Sequence, residues 1–220
     1  MADVKFCGLT READAAHAGA LGAAYAGVIF AGGPRLLSPD RARRVLDALP
    51  AGARRVGVFG PADPAAIGEA AAEARLDVVQ LHAATTAAEV EAARRATGLV
   101  VWGVARVADG RLPECHAFLA AAADALVLDT LVPGGLGGSG VATDWEELAR
   151  ELDRHGRPAR LVLAGGLRPE TVAHAVRLVS PDAVDVSSGV ESAPGIKDHA
   201  RMTAFAAAAR GAPSTSRQPA

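Results

Sequence analysis

Val4-Lys5-Phe6-Cys7, followed by Gly8-Leu9-Thr10, and Leu126-Val127-Leu128-Asp129, followed by Thr130, decide how the rest of the chain is read. Each is a short apolar run that ends on one polar side chain. Runs rich in Val, Ile and Leu without strict polar alternation suit parallel strands whose sheet is covered by helices. The same pattern recurs along the chain, each run being followed by a helical stretch. It predicts strands over 3–7, 25–30, 55–59, 78–81, 99–104, 125–129, 160–164 and 183–187. Helices are predicted over 11–20, 39–49, 64–74, 87–96, 114–122, 144–155, 169–179 and 198–209. Thr10 and Ser38 are the expected N-caps of the first two helices, with Pro39 at the first helical position of the second.

Eight strand–helix units in 220 residues leave no room for a second domain. The expected architecture is α/β, a single (β/α)8 TIM barrel over 1–210, with 211–220 as a disordered tail. A doubly wound open sheet is the rival. It usually has fewer crossovers, and it does not need the ends of the first and sixth strands to meet.

Composition narrows the function. Hydrophobic residues make up 50% of the chain and aromatics only 4%, so many contacts are close backbone approaches rather than large side-chain plugs. The formal charge of −2 points to neither nucleic acid nor an anionic membrane as partner. No stretch reads as a membrane span, because charges, Pro and Gly interrupt every apolar run. The first residues lack the ordered regions of a secretory signal. Cysteines at 7 and 115 form neither a disulfide framework nor a metal spacing, and a free, useful Cys7 suits a reducing cytoplasm. His82 and His116 lack a partner set for zinc, and no close Asp/Glu cluster suggests magnesium, so no metal is expected.

In such barrels the ligand face is built at the carboxyl ends of the strands. That rule gathers Cys7, Arg35, His82, Asp129, Gly165-Gly166 and Ser187-Ser188-Gly189 at one mouth. Taken singly, Cys7 is as well explained as a small buried hydrophobe, Asp129 as a turn cap and Arg35 as a solvated loop side chain. Together, Cys7 and Asp129 make a proton-removing and proton-giving pair, for which the thiol pKa is expected to be lowered and the carboxyl held protonated. Arg35 could hold a carboxylate through two hydrogen bonds. The glycines and serines after strands seven and eight read as a phosphate cradle. No glycine-rich segment ends in Gly-Lys-Ser/Thr, which excludes a nucleotide-triphosphate loop.

The chain resembles the phosphoribosylanthranilate isomerase family of tryptophan biosynthesis. The resemblance lies in residues 5–10, Pro34-Arg35 with Ser38-Pro39, Val79-Gln80-Leu81-His82, Leu128-Asp129-Thr130, and Gly137-Gly138-Ser139-Gly140 with Asp144-Trp145. It continues in Ala164-Gly165-Gly166-Leu167, Asp185-Val186-Ser187-Ser188-Gly189-Val190-Glu191, Pro194-Gly195 and Lys197-Asp198. It implies a cofactor-independent Amadori rearrangement of a phosphoribosyl substrate, with Cys7 as base, Asp129 as acid and Arg35 on the anthranilate carboxylate. Arg35, His82, Gly138 and Asp185 would contact substrate. Gly165, Gly166, Ser187, Ser188 and Gly189 would hold phosphate. The 137–140 loop would fold over the ligand. The chain departs from the family pattern at Gly60-Pro61, Ala83, Thr143 and the Gly-Gly-Pro before Arg35, none of which removes a catalytic group.

Two alternatives stay open on the residues. One is a related phosphoribosyl isomerase with a shifted substrate, against which Cys rather than Asp at the end of strand one weighs. The other is a catalytically silent barrel. A monomer is favoured over a homodimer, because short helices can cover the sheet without a partner.

Overall fold

The computed structural model describes residues 1–82, 86–130 and 144–212. Eight parallel strands close into a barrel in chain order. They are β1 (Asp3–Phe6), β2 (Tyr25–Ile29), β3 (Arg54–Phe59), β4 (Val78–Leu81), β5 (Val100–Val107), β6 (Ala125–Thr130), β7 (Leu161–Ala164) and β8 (Ala183–Val186). The helices between and after them are α1 (Glu12–Ala20), α2 (Pro39–Asp47), α3 (Pro64–Glu73), α4 (Ala87–Thr97), α5 (His116–Ala122), α6 (Trp145–His155), α7 (Val172–Val179) and α8 (His199–Gly211). Past β8 come a short 3-10 turn (Ser188–Val190) and a small antiparallel pair, β9 (Glu191–Ala193) and β10 (Ile196–Lys197). The (β/α)8 expectation holds, and the open sheet is excluded because β1 pairs with both β2 and β8.

Strand side chains alternate between two cores, as the period of two requires. Val4, Phe6, Leu126, Leu128, Leu161, Leu163 and Val184 face outward into a shell packed under the helices. Tyr25, Val56, Val78, Trp102, Val104, Ala125, Val127, Val162 and Ala183 form a separate inner cluster. Trp102 is fully buried there and meets Tyr25 edge-on at 4.8 Å between ring centres, which fills the barrel with two large rings.

Helix starts follow side-chain capping in most places. Asp63, Asp144 and Asp198 accept backbone N–H groups at the starts of α3, α6 and α8, and Thr86 with Glu89 forms a capping box on α4. The two expected caps behave differently. Arg11, not Thr10, is the N-cap of α1, and the Thr10 hydroxyl donates to the Gly195 carbonyl, tying the first loop to the β9–β10 turn. Ser38 does sit at the N-cap of α2, but its hydroxyl bonds the Asp40 carboxylate instead of a backbone N–H. At the other end α8 includes Gly211 and Ala212 is buried, so the ordered body passes residue 210; residues 213–220 lie outside the described residues. Among the described residues no helix is long and apolar enough to cross a membrane.

Candidate active site

The alternation that builds the inner core also builds the mouth. Continuing the inward positions of each strand one step upward gives Lys5 and Cys7 on β1 and its exit, and Gln80 and His82 on β4 and its exit. The same step gives Arg106 on β5, Asp129 on β6 and Asp185 on β8. Arg106 and Asp129 are direct register partners, as are Lys5 and Asp185.

Cys7 is almost fully buried, 6% exposed. Its sulfur occupies room left by Gly27, where an added Cβ would lie 3.0 Å from Sγ. Below it Lys5, with no exposed surface, donates from Nζ to Asp185 Oδ2 at 2.6 Å. Burial works against the Lys5 charge, but Asp185 and Cys7 outweigh it and hold its pKa above the ordinary lysine value. The thiol does not show the lowered pKa expected from the sequence. Burial pushes Cys7 up and Asp185 adds to the rise, while Lys5 and Lys197 pull the other way without winning. A further positive charge at the mouth would favour the thiolate.

Asp129 shifts in the direction expected of a proton donor. Burial raises its carboxyl pKa, against the opposing charges of His82 and Arg106. His82 Nε2 stands 3.7 Å from Asp129 Oδ2 and 2.9 Å from Arg106 Nη2. Burial pushes the His82 pKa down, and Arg106 adds to that fall against Asp129. Both Cys7 and Asp129 feel the Lys5–Asp185 pair, whose two charges act on each in opposite senses.

Arg35 is tied down. Its Nε and Nη2 grip both oxygens of Glu191 at 2.8 and 2.6 Å, and Glu191 also accepts from Lys197 Nζ at 2.8 Å. The expected two-point hold on a substrate carboxylate therefore cannot use that edge of the fork, which Glu191 fills; Nη1 lies outside it. Two cations against one carboxylate leave this cluster net positive. The Arg35 stem and the Ser187 hydroxyl converge on Gly8, where φ is +67° and an added Cβ would stand 2.6 Å from Arg35 Cδ. Glycine is thus required next to the candidate base.

The expected phosphate residues come together as well. Gly166, Ser188 and Gly189 line a cavity of about 300 Å³, with Arg168 and Arg201 on its wall. Gly165 and Gly166 adopt φ of +88° and +64°. A Cβ on Gly189 would sit 1.9 Å from the Leu167 carbonyl oxygen, so the loops after β7 and β8 pack backbone to backbone only because residue 189 has no side chain. Ser187 faces inward instead, its carbonyl accepting from Lys197 Nζ at 3.1 Å. Asp185 is nearly buried and bound to Lys5, with Oδ1 unpartnered among the described residues. Gly138 and the rest of the 137–140 loop, like Ala83 and Thr143, lie outside the described residues. Gly60-Pro61 lines a mainly apolar cavity of about 250 Å³ with Ile67 and Leu81, outside the barrel mouth. Among the described residues no group of three His, Cys, Asp or Glu is placed to hold a metal ion.

Sequence reasoning missed Arg106, Glu191 and Lys197 as site residues. For Arg106 the signal was available: Val104-Ala105-Arg106-Val107 continues the strand alternation for three residues beyond the predicted end of strand five.

Comparison with known proteins fits this geometry. The family described as "PRAI: N-(5'phosphoribosyl)anthranilate (PRA) isomerase" matches residues 4–208. The chain is 42% identical to the N-(5'-phosphoribosyl)anthranilate isomerase of Paramagnetospirillum magneticum, over 95% of this chain and 97% of that one. It is similar to the crystal structure of phosphoribosyl anthranilate isomerase from Thermotoga maritima, with a TM-score of 0.83 and 36% identity, covering 96% of this chain and 100% of that one. A second solved structure is phosphoribosyl anthranilate isomerase in complex with reduced 1-(o-carboxyphenylamino)-1-deoxyribulose 5-phosphate. It matches with a TM-score of 0.79 and 34% identity, over 96% of this chain and 100% of that one. With its barrel, its inward Cys7 and Asp129 and its full-length relatives, the chain belongs to the phosphoribosylanthranilate isomerase family.

Proposed function

We propose that Cys7 and Asp129 are the general base and general acid of the family's reaction in this chain. That reaction is the Amadori rearrangement of N-(5-phosphoribosyl)anthranilate to 1-(2-carboxyphenylamino)-1-deoxyribulose 5-phosphate. The observation that carries the assignment is the inward placement of both side chains at the carboxyl ends of two non-adjacent strands, where both feel the Lys5–Asp185 pair.

Asp129, whose carboxyl pKa burial raises, gives its proton to the furanose ring oxygen. The C1–O bond breaks, its electrons stay on oxygen, and the nitrogen lone pair forms a C1=N iminium. That cation acidifies the C2 proton. It also supplies the extra positive charge that the buried Cys7 thiol requires, adding to Lys5 and Lys197. The Cys7 thiol releases its own proton to solvent as the thiolate forms; the thiolate then takes the C2 proton, and the C–H electrons form C1=C2 and neutralise the nitrogen. The enolamine then loses its enol proton and gains one at C1 to give the ketone. The net positive Arg35–Glu191–Lys197 cluster faces the anthranilate carboxylate, and the cavity at Gly166, Ser188 and Gly189 takes the phosphate. His82 and Asp185 shape the mouth between them. The protein works as a monomer in the cytoplasm; the large exposed apolar side chains among the described residues, Met1, Leu36, Phe118 and Ile196, lie on four separate segments.

Asp129→Asn tests the acid. It keeps the shape and removes the transferable proton, so kcat is expected to fall about 10²-fold with binding of the reduced product analogue retained. An unchanged kcat would refute the role of Asp129.

A further inference from the structure

Arg106 is a charged side chain at the mouth that neither proton transfer nor anion binding uses above. Its Nη2 lies 2.9 Å from His82 Nε2. A guanidinium has only donors, so at that distance Nε2 must accept, and a neutral imidazole that accepts at Nε2 carries its proton at Nδ1. The same Nε2 is 3.7 Å from Asp129 Oδ2, beyond hydrogen-bond reach. A histidine beside a carboxylate would ordinarily take a proton and donate it across that gap, which would fix Asp129 as a carboxylate. Register pairing of Arg106 with Asp129 puts the guanidinium on the strand next to the acid, where it can hold His82 away from it.

We propose that Arg106 is a positioning residue: it holds His82 neutral with the proton on Nδ1 and so prevents His82 from pairing with Asp129. The consequence for catalysis rests on the reading of Asp129 as the acid; the His82 state does not. Arg106 carries a charge of its own, which lowers the Asp129 pKa, but it makes no ion pair with Asp129. In its absence the imidazolium would be free to close the 3.7 Å gap to the carboxylate. The groups facing the pair from the other elements are Lys5 on β1 and Asp185 on β8, which oppose each other in sign. His82 Nδ1 is buried and has no partner among the described residues, so the proton placed there is a donor without an acceptor among them. A buried donor without a partner is costly, and an oxygen of the bound substrate would relieve it.

The test is Arg106→Met, which keeps much of the stem and removes the donor, studied by nitrogen-15 NMR of the His82 ring and by the pH profile of kcat. In the wild type His82 is expected to remain the neutral Nδ1–H form at pH 7. In Arg106→Met it should protonate at higher pH and pair with Asp129. The alkaline limb of kcat should then move down by about one pH unit or more, because Asp129 loses its proton sooner. KM should move less than kcat. Adding His82→Gln to Arg106→Met should return the limb toward its wild-type position, a reversal that general damage to the mouth would not give. An unchanged tautomer and titration of His82 in Arg106→Met would overturn the proposal, as would a shifted His82 with an unmoved limb. Should Asp129→Asn turn over normally, the acid assignment falls, and the NMR result still decides whether Arg106 sets the state of His82.

Discussion

Cys7→Ala is expected to lower kcat by about 10³–10⁴-fold, the upper end of what a positioned base contributes, while the reduced product analogue still binds. The loss should exceed that of Asp129→Asn because water can protonate a ring oxygen, whereas neither buried lysine beside Cys7 can take its place in removing the C2 proton. Lys5 is held charged and Lys197 is bound to Glu191 and the Ser187 carbonyl, so neither offers a free lone pair. The substitution removes one buried sulfur and leaves the backbone between β1 and Gly8 intact. Its stability cost should therefore stay near ~1 kcal/mol. The pH dependence has a definite sign. Burial raises the thiol pKa in the free protein, so the thiolate, and with it kcat/KM, increases as pH rises through the upper thiol range. A Cys7→Ala protein with wild-type turnover, or a thiol that titrates below the ordinary cysteine value, would contradict the account.

Lys5→Met is expected to destabilise the barrel by about 3–5 kcal/mol. The reason lies in what is left behind. Asp185 would keep its carboxylate in the barrel interior with neither Lys5 Nζ nor any partner on Oδ1. For a chain of this length such a loss corresponds to a fall in Tm of roughly 6–20 °C. Activity should fall as well, since Cys7 loses the nearest cation opposing its burial and its pKa rises further. The double variant Lys5→Met/Asp185→Leu separates the two effects. With both charges replaced by apolar groups, stability should recover most of the loss while turnover stays low. A single variant that melts at the wild-type temperature would show that the pair contributes little. A double variant with restored turnover would show that the charges are not needed by the thiol.

The barrel was legible from local pattern because each strand is a short apolar run closed by a turn residue, and every predicted strand has a counterpart in the structure. Cys7, His82 and Asp129 were legible for the same reason: they stand where runs end, and inward positions there face the mouth. Lys5 shares the inward parity of Cys7, so its burial is implied once the strand is accepted, although its partner on β8 is not. The Arg35–Glu191 fork joins residues 156 positions apart, and no periodicity in the chain announces such a pair. Arg106 was lost by ending strand five at Val104, a boundary error that hid a charged group on the register row of Asp129. The Thr10 cap failed because a tertiary acceptor, the Gly195 carbonyl, competes for its hydroxyl. The direction of the Cys7 pKa was not legible, since it is a balance of burial against Lys5 that only the packed interior sets.

The most direct measurement is the decay of substrate fluorescence with freshly made N-(5-phosphoribosyl)anthranilate. Wild type, Cys7→Ala and Asp129→Asn would be run side by side, with the reduced product analogue titrated into each by calorimetry. The account predicts conversion by the wild type, loss of conversion in both variants, and analogue binding in all three. A folded wild-type protein that binds the analogue and leaves the substrate unchanged, or a Cys7→Ala protein that converts it at the wild-type rate, would contradict it.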